Sequence, residues 1–175
     1  MTTGGSSAID RLRYYELRRK FVKVRVGSMA PAVMWFRRDL RLADNPALLE
    51  AVEAGGGHVA GLFVLDSGLW DPAGSPRRNR LLSSVQSLSE AMGGSLVVRR
   101  GDPAEMVPRF AAEIGAGSVH IATDYRPYGR RRDAAVERRL GCPLVRTGSP
   151  YAVSTGRIVT NAGAPYQVFT PYFRA

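Results

Sequence analysis

Arg37, Arg38 and Arg41 fall within five positions, Asp39 stands between them, and Asp44, Asn45 and Pro46 follow closely. Two readings fit this pattern. Arginine donors and backbone amides can hold the polar part of a ligand, or the same guanidinium groups can brace the loop and a domain interface by hydrogen bonds. Signatures of other chemistries are missing. There is no G-x-x-x-x-G-K-[ST], and no lysine follows Lys23 to complete one. No G-x-G-x-x-G follows the first apolar run, and no G-x-S-x-G occurs. Plain ATPase and NAD-binding readings therefore lose support. Two histidines and the single Cys142 are too few for an ordinary zinc site and leave no intrachain disulfide.

The arginine cluster has to be placed by the elements around it. Residues 32–36 (AVMWF) form a continuous apolar run of the kind a buried strand shows. Asp44 and Asn45 before Pro46 make a helix start. The spacing predicts a helix over 46–54 with Leu48, Leu49 and Val52 on one face, ended by three glycines. A second strand is expected over 58–65 (HVAGLFVL), a Gly/Pro-rich loop over 66–75, a helix over 77–92 and a third strand over 95–99. Asp102 and Pro103 open another helix with Met106, Val107, Phe110, Ala111 and Ile114 inward; Pro108 either kinks it or shifts its start. A fourth strand over 118–122, a helix over 130–140 and a fifth strand opening at 143–145 complete the alternation. The expected fold is α/β: a Rossmann-like, doubly wound five-stranded parallel sheet with helices on both faces. Ligands of such sheets sit at the carboxyl ends of strands near the switch point. That points to the positions just after Phe36, Leu65, Arg99 and Ala122.

A chain of 175 residues suits one domain, and 45% hydrophobic with 23% charged residues is the balance of a soluble globular protein. No apolar run is long enough to cross a membrane as a helix, and no secretory signal is evident. The cysteine usage is compatible with a reducing cytoplasm, the expected location. The net charge of +10 suggests acidic partners such as nucleic acid or phosphorylated ligands. Residues 1–28 carry seven basic side chains against Asp10 and Glu16, a net of +5, and hold both lysines, Lys20 and Lys23. This leader reads as a nucleic-acid-binding arm, an organellar presequence or an upstream start ahead of Met29 or Met34, and is expected to be dispensable for folding.

The segment from Trp35 to Leu48, WFRRDLRLADNPAL, resembles the opening motif of the DNA photolyase and cryptochrome family. GLFVLD at 61–66 is similar to that family's second strand, TDYRPYGRRRD at 123–133 to its segment after the fourth, and PYQVFTPYF at 165–173 to its approach to the interdomain linker. The resemblance covers about 31–175.

It implies an organisation and a function. Residues 1–28 stand as a basic leader, 29–150 as the α/β domain and 151–175 as the start of the linker, with the helical FAD domain outside these 175 residues. The α/β domain of such proteins often holds an antenna chromophore, a deazaflavin, a folate or a flavin. The FAD domain flips a pyrimidine dimer out of DNA and repairs it by light-driven electron transfer. No repair is expected from this chain alone, and DNA binding by it is expected to be weak or absent. The missing domain is the expected docking partner, with no membrane partner and no metal. Carried onto this sequence, the antenna site would use Arg38, Asp66, Asp124 and Arg126, with Trp35, Phe36 and Phe63 walling the ring. Folate-using members carry an acidic residue where this chain has Gly129, which favours 8-hydroxy-deazaflavin or flavin over folate. Other readings remain open: a free-standing module for a nucleotide-like or flavin-like ligand, a cryptochrome-type photoreceptor fragment, or a DNA-associating protein without chromophore. Arg130, Arg131 and Arg132 fit either a solvated helix face or a DNA contact.

Overall fold

The structure, a computed structural model, describes residues 29–151, 153 and 155–175; the leader discussed above lies outside them. The elements run β1 (Ala32–Phe36), α1 (Pro46–Ala54), β2 (Val59–Asp66), α2 (Ser67–Trp70), α3 (Ser75–Ala91), β3 (Val97–Gly101), α4 (Pro103–Glu113), β4 (Ser118–Ile121), α5 (Pro127–Glu137), β5 (Leu144–Arg146) and α6 (Phe169–Arg174). The five strands form one parallel sheet in the order β3-β2-β1-β4-β5. The doubly wound fold expected from the alternation is the observed one. The order reverses direction between β1 and β4, which makes their carboxyl ends the switch point.

Alternation along β1 splits the core in two. Val33 and Trp35 face Leu62, Val64, Val119 and Ile121, covered by Ala104, Val107, Phe110 and Ala111 of α4 and Val136 of α5. Ala32, Met34 and Phe36 face the other way with Phe63 and Leu65, under Ala47 and Ala51 of α1, Trp70, and Val85 and Leu88 of α3.

Several local expectations are corrected. The predicted loop at 66–75 contains α2: the Asp66 side chain accepts from Gly68 N at 3.0 Å, and the turn folds Trp70 into the core. In α1 the buried residues are Ala47 and Ala51, while Leu49 is 68% and Val52 42% exposed. The phase of this helix is set by its cap, with Asn45 Oδ1 accepting from Leu48 N at 3.3 Å, so Ala47 and Ala51 are buried, Leu48 packs partly against the core and Leu49 turns outward. Helix α5 begins at Pro127 rather than Arg130, because proline occupies its first turn. Pro108 lies inside a continuous α4. The carbonyl of Ala104, which a proline four residues on cannot bond, takes a donor from outside the helix, Arg139 Nη1 at 3.4 Å. The strand bounds move by one or two residues at β2, β3, β4 and β5.

His120 lies on β4 and is 1% exposed. Its Nε2 meets Ser118 Oγ at 2.8 Å, and its Nδ1 is buried with no hydrogen-bond partner among the described residues. Burial pushes this imidazole below its usual value, against a smaller opposing pull from Glu50. The folded state therefore keeps His120 neutral while the unfolded chain takes up the proton near pH 6.5, so its contribution is present above that pH and lost as pH falls below it. In denaturant titrations at a series of pH values, His120→Val is expected to flatten the slope below about pH 6.5 by up to about 1.4 kcal/mol per pH unit. An unchanged slope would mean that His120 is not the group responsible.

Near the C-terminus, α6 buries none of its residues. Phe169 and Phe173, 72% and 77% exposed, stack on each other at 5.7 Å, and Val168 is also exposed. This surface suits association more than solubility. Deleting 165–175 is expected to raise the concentration at which light scattering appears while leaving the melting temperature within about 2 °C; worse scattering would contradict it.

Candidate functional site

The carboxyl ends of β1 and β4 diverge and leave a recess lined by Met34, Trp35, Arg37, Arg38, Asp39, Ala122, Asp124 and Pro150. Its volume is about 10 Å³, the space of one water, and it opens to solvent. A drug-sized ligand needs roughly 300–1,000 Å³. These residues therefore make the floor of a binding site and not its full enclosure.

The floor is held by a buried charge network. Arg37 Nη1 donates to both carboxylate oxygens of Asp133 at 2.5 Å, and Arg37 Nη2 donates to the carbonyl of Ala122. Arg132 donates to the same carboxylate at 2.9 and 3.0 Å and lies 3.5 Å from Asp124. The Arg37 and Arg132 guanidinium groups lie over the Trp35 ring at 5.1 and 5.2 Å, so one indole carries two cations whose charge Asp133 offsets. Burial lowers the Arg37 pKa from its usual value, and Asp133 counters this. Arg37 is spent on the fold.

Arg38 differs. Its side chain is 36% exposed and its one carboxylate neighbour among the described residues, Asp124, is 3.9 Å away. It keeps donors for an incoming group. Asp124 is buried, accepts from Arg126 N at 3.1 Å, and sits against Gly129 so closely that a Cβ there would fall well inside 3.0 Å of its carboxylate. Glycine at 129 is thus required by Asp124. Asp39 is tied to Arg41 at 2.8 Å, its second oxygen is buried without a partner among the described residues, and burial raises its pKa above the usual carboxylate value.

Of the residues expected at the site, Trp35, Arg38 and Asp124 meet at the recess. Phe36 and Phe63 do not line it: they pair across β1 and β2 on the opposite face of the sheet, in the cluster that contains Trp70. Asp66 accepts from the Tyr128 hydroxyl, and Arg126 caps α5 with an exposed side chain. Burial and the Asp66 hydrogen bond push the Tyr128 phenol up to about 12. Sequence reasoning does not single out Asp133 or Tyr128, and it reads Arg132 only as part of a charged helix face. The signal available is the proline at the start of α5, which fixes the helical phase and turns Asp133 inward.

Comparison with known proteins places this geometry. A family model described as DNA photolyase matches residues 32–175. The chain is 41% identical over 150 residues to a deoxyribodipyrimidine photo-lyase of Thermus thermophilus, covering 83% of this chain and 34% of that protein. It is 35% identical over 152 residues to the Agrobacterium fabrum protein of the same name, covering 83% and 31%. Among solved structures, a class III photolyase from Agrobacterium tumefaciens aligns with a TM-score of 0.74 and 33% identity, over 87% of this chain and 33% of that one. The chain spans about a third of the length of the curated relatives it matches.

Proposed function

The chain belongs to the DNA photolyase family, and from that premise we propose that it is the antenna-binding α/β domain of a light-driven DNA-repair flavoprotein. The observation that carries this reading is the switch-point recess, where a half-exposed Arg38 with spare donors stands beside Trp35 and Asp124. The donor set fits the polar edge or anionic tail of a chromophore. The ring itself would need walls from outside these residues. On this reading residues 29–150 are the binding domain and 151–175 lead towards a helical FAD domain, which supplies the remaining walls and the repair chemistry. The two tryptophans, Trp35 and Trp70, are both buried in the α/β core, and on this reading the repair chemistry belongs to the FAD domain. DNA is the partner of the whole protein. Among the described residues no helix is long and apolar enough to cross a membrane, and the cytoplasm is the proposed location.

The chromophore proposed is an 8-hydroxy-deazaflavin or a flavin rather than a folate. The fit of Gly129 against Asp124 leaves no room for an acidic side chain at that position. The test is equilibrium dialysis of the purified chain against deazaflavin, flavin mononucleotide and methenyl-folate in parallel. Retention of a deazaflavin or flavin over folate is expected. Preference for folate would overturn the chromophore assignment.

A further inference from the structure

Helix α5 carries a band of arginines that the fold does not use. Arg130, Arg131 and Arg138 are exposed, and none has a carboxylate within 4.0 Å among the described residues. At about 100° and 1.5 Å per residue they share an arc of about 100° and extend over about 12 Å of the helix. Exposed Arg126 at the N-cap widens the same band. Five other arginines of this chain, Arg37, Arg99, Arg100, Arg109 and Arg146, each hold a carboxylate within 3.0 Å.

The carboxylates of α5 itself do not help the band. Asp133 is buried against Arg37 and Arg132, and Glu137 is engaged by Arg146 at 2.7 Å. The helix also begins without an acidic residue in its first turn and without a side-chain cap. Arg126 and Arg130 therefore stand at the positive end of the helix dipole with no acidic side chain to offset it. Helix α4 shows the stabilising alternative, with Asp102 accepting from Ala104 N at 2.9 Å and Glu105 in the first turn. A row of guanidinium groups with no carboxylate partner among the described residues suits an external anion.

We infer that the outer face of α5 is a contact surface for the phosphate backbone of duplex DNA, separate from the recess and independent of base sequence. The proposed function bears on it only by making DNA the polyanion at hand. Arginine forks suit phosphate oxygens, and each phosphate neutralised adds about 0.9 to the slope of log affinity against log salt.

The test uses the full 175-residue chain and a short labelled duplex, with anisotropy read at several salt concentrations. The triple variant Arg130→Ala, Arg131→Ala, Arg138→Ala is expected to lose more than about tenfold in affinity and to lower the salt slope by about 2.7. Control triple Arg99→Ala, Arg100→Ala, Arg109→Ala removes the same formal charge from paired positions and is expected to change affinity by less than about twofold. Lysine at 130, 131 and 138 is expected to keep most of the slope. The basic leader contributes equally to every variant. Equal losses from both alanine triples would reduce the effect to net charge and overturn the proposal, as would no loss from the first. An α5 triple to glutamine is measured alongside, with melting temperature, so that a folding defect is not taken for a binding one. Chromophore uptake is expected to be unchanged by the α5 triple, so failure here and failure of the antenna reading are told apart.

Discussion

Arg37→Met is expected to lower the stability of this domain by roughly 3–5 kcal/mol, the largest effect of any single change at the site. Arg37 and Asp133 are 8% and 4% exposed, and Arg37 supplies Asp133 with two contacts at 2.5 Å and the Ala122 carbonyl with a third. Methionine fills a similar volume but offers no donor. It strands a buried carboxylate on Arg132 alone and frees a carbonyl at the end of β4. For a domain of this size the loss corresponds to a melting temperature lower by roughly 6–20 °C. Pairing the change with Asp133→Leu is expected to recover much of it, because the uncompensated charge goes and apolar groups of similar shape replace the pair. A single variant that melts within about 2 °C of the parent would show that the network is not what holds the floor of the recess.

Gly129→Glu is expected to be nearly as damaging, for a steric reason. The position is buried in the first turn of α5, and any Cβ there enters the space of the Asp124 carboxylate. Either Asp124 turns away, giving up its contacts with Arg126 N, Arg132 and Arg38, or the start of α5 moves off the sheet. Both routes carry a cost of roughly 2–4 kcal/mol, the range for forcing groups into a well-packed site or leaving a buried carboxylate unsatisfied. Gly129→Ala is expected to show most of the loss, since the clash begins at Cβ, and this separates crowding from charge. Thermal melts of the two variants decide it. Alanine at parental stability with glutamate strongly destabilised would make charge the cause.

The fold is largely legible because its central strands are buried on both sides and therefore show as unbroken apolar runs, as in AVMWF and GLFVL. Asn45-Pro46 and Asp102-Pro103 mark helix starts that the structure keeps. Pro127 carries the same signal, but it lies behind a stretch of mixed polarity, residues 122–126, that separates it from the fourth strand. Periodicity alone starts α5 three residues late and leaves Asp133 in what looks like a surface run of charge. Leu49 and Val52 suggest a buried face for α1 because periodicity does not set phase; the Asn45 cap does. The site divides along similar lines. The switch-point rule locates the recess from strand order. Which aromatic ring lines it depends on the alternation of β1, which puts Trp35 and Phe36 on opposite faces. The Arg37–Asp133 pair joins residues 96 positions apart, and no local pattern announces it.

The most direct test of the central claim is a ligand titration of the chain with flavin mononucleotide and 8-hydroxy-deazaflavin, comparing the parent with Arg38→Gln and, as control, Arg99→Gln. If the recess is the antenna seat, Arg38→Gln raises the Kd for the ligand that binds by about tenfold or more, the loss of a hydrogen bond from a charged donor, at unchanged melting temperature; Arg99→Gln leaves it unchanged. Binding equal in all three proteins would contradict the account, because the donor that the fold leaves spare at the recess would then play no part in holding the ligand.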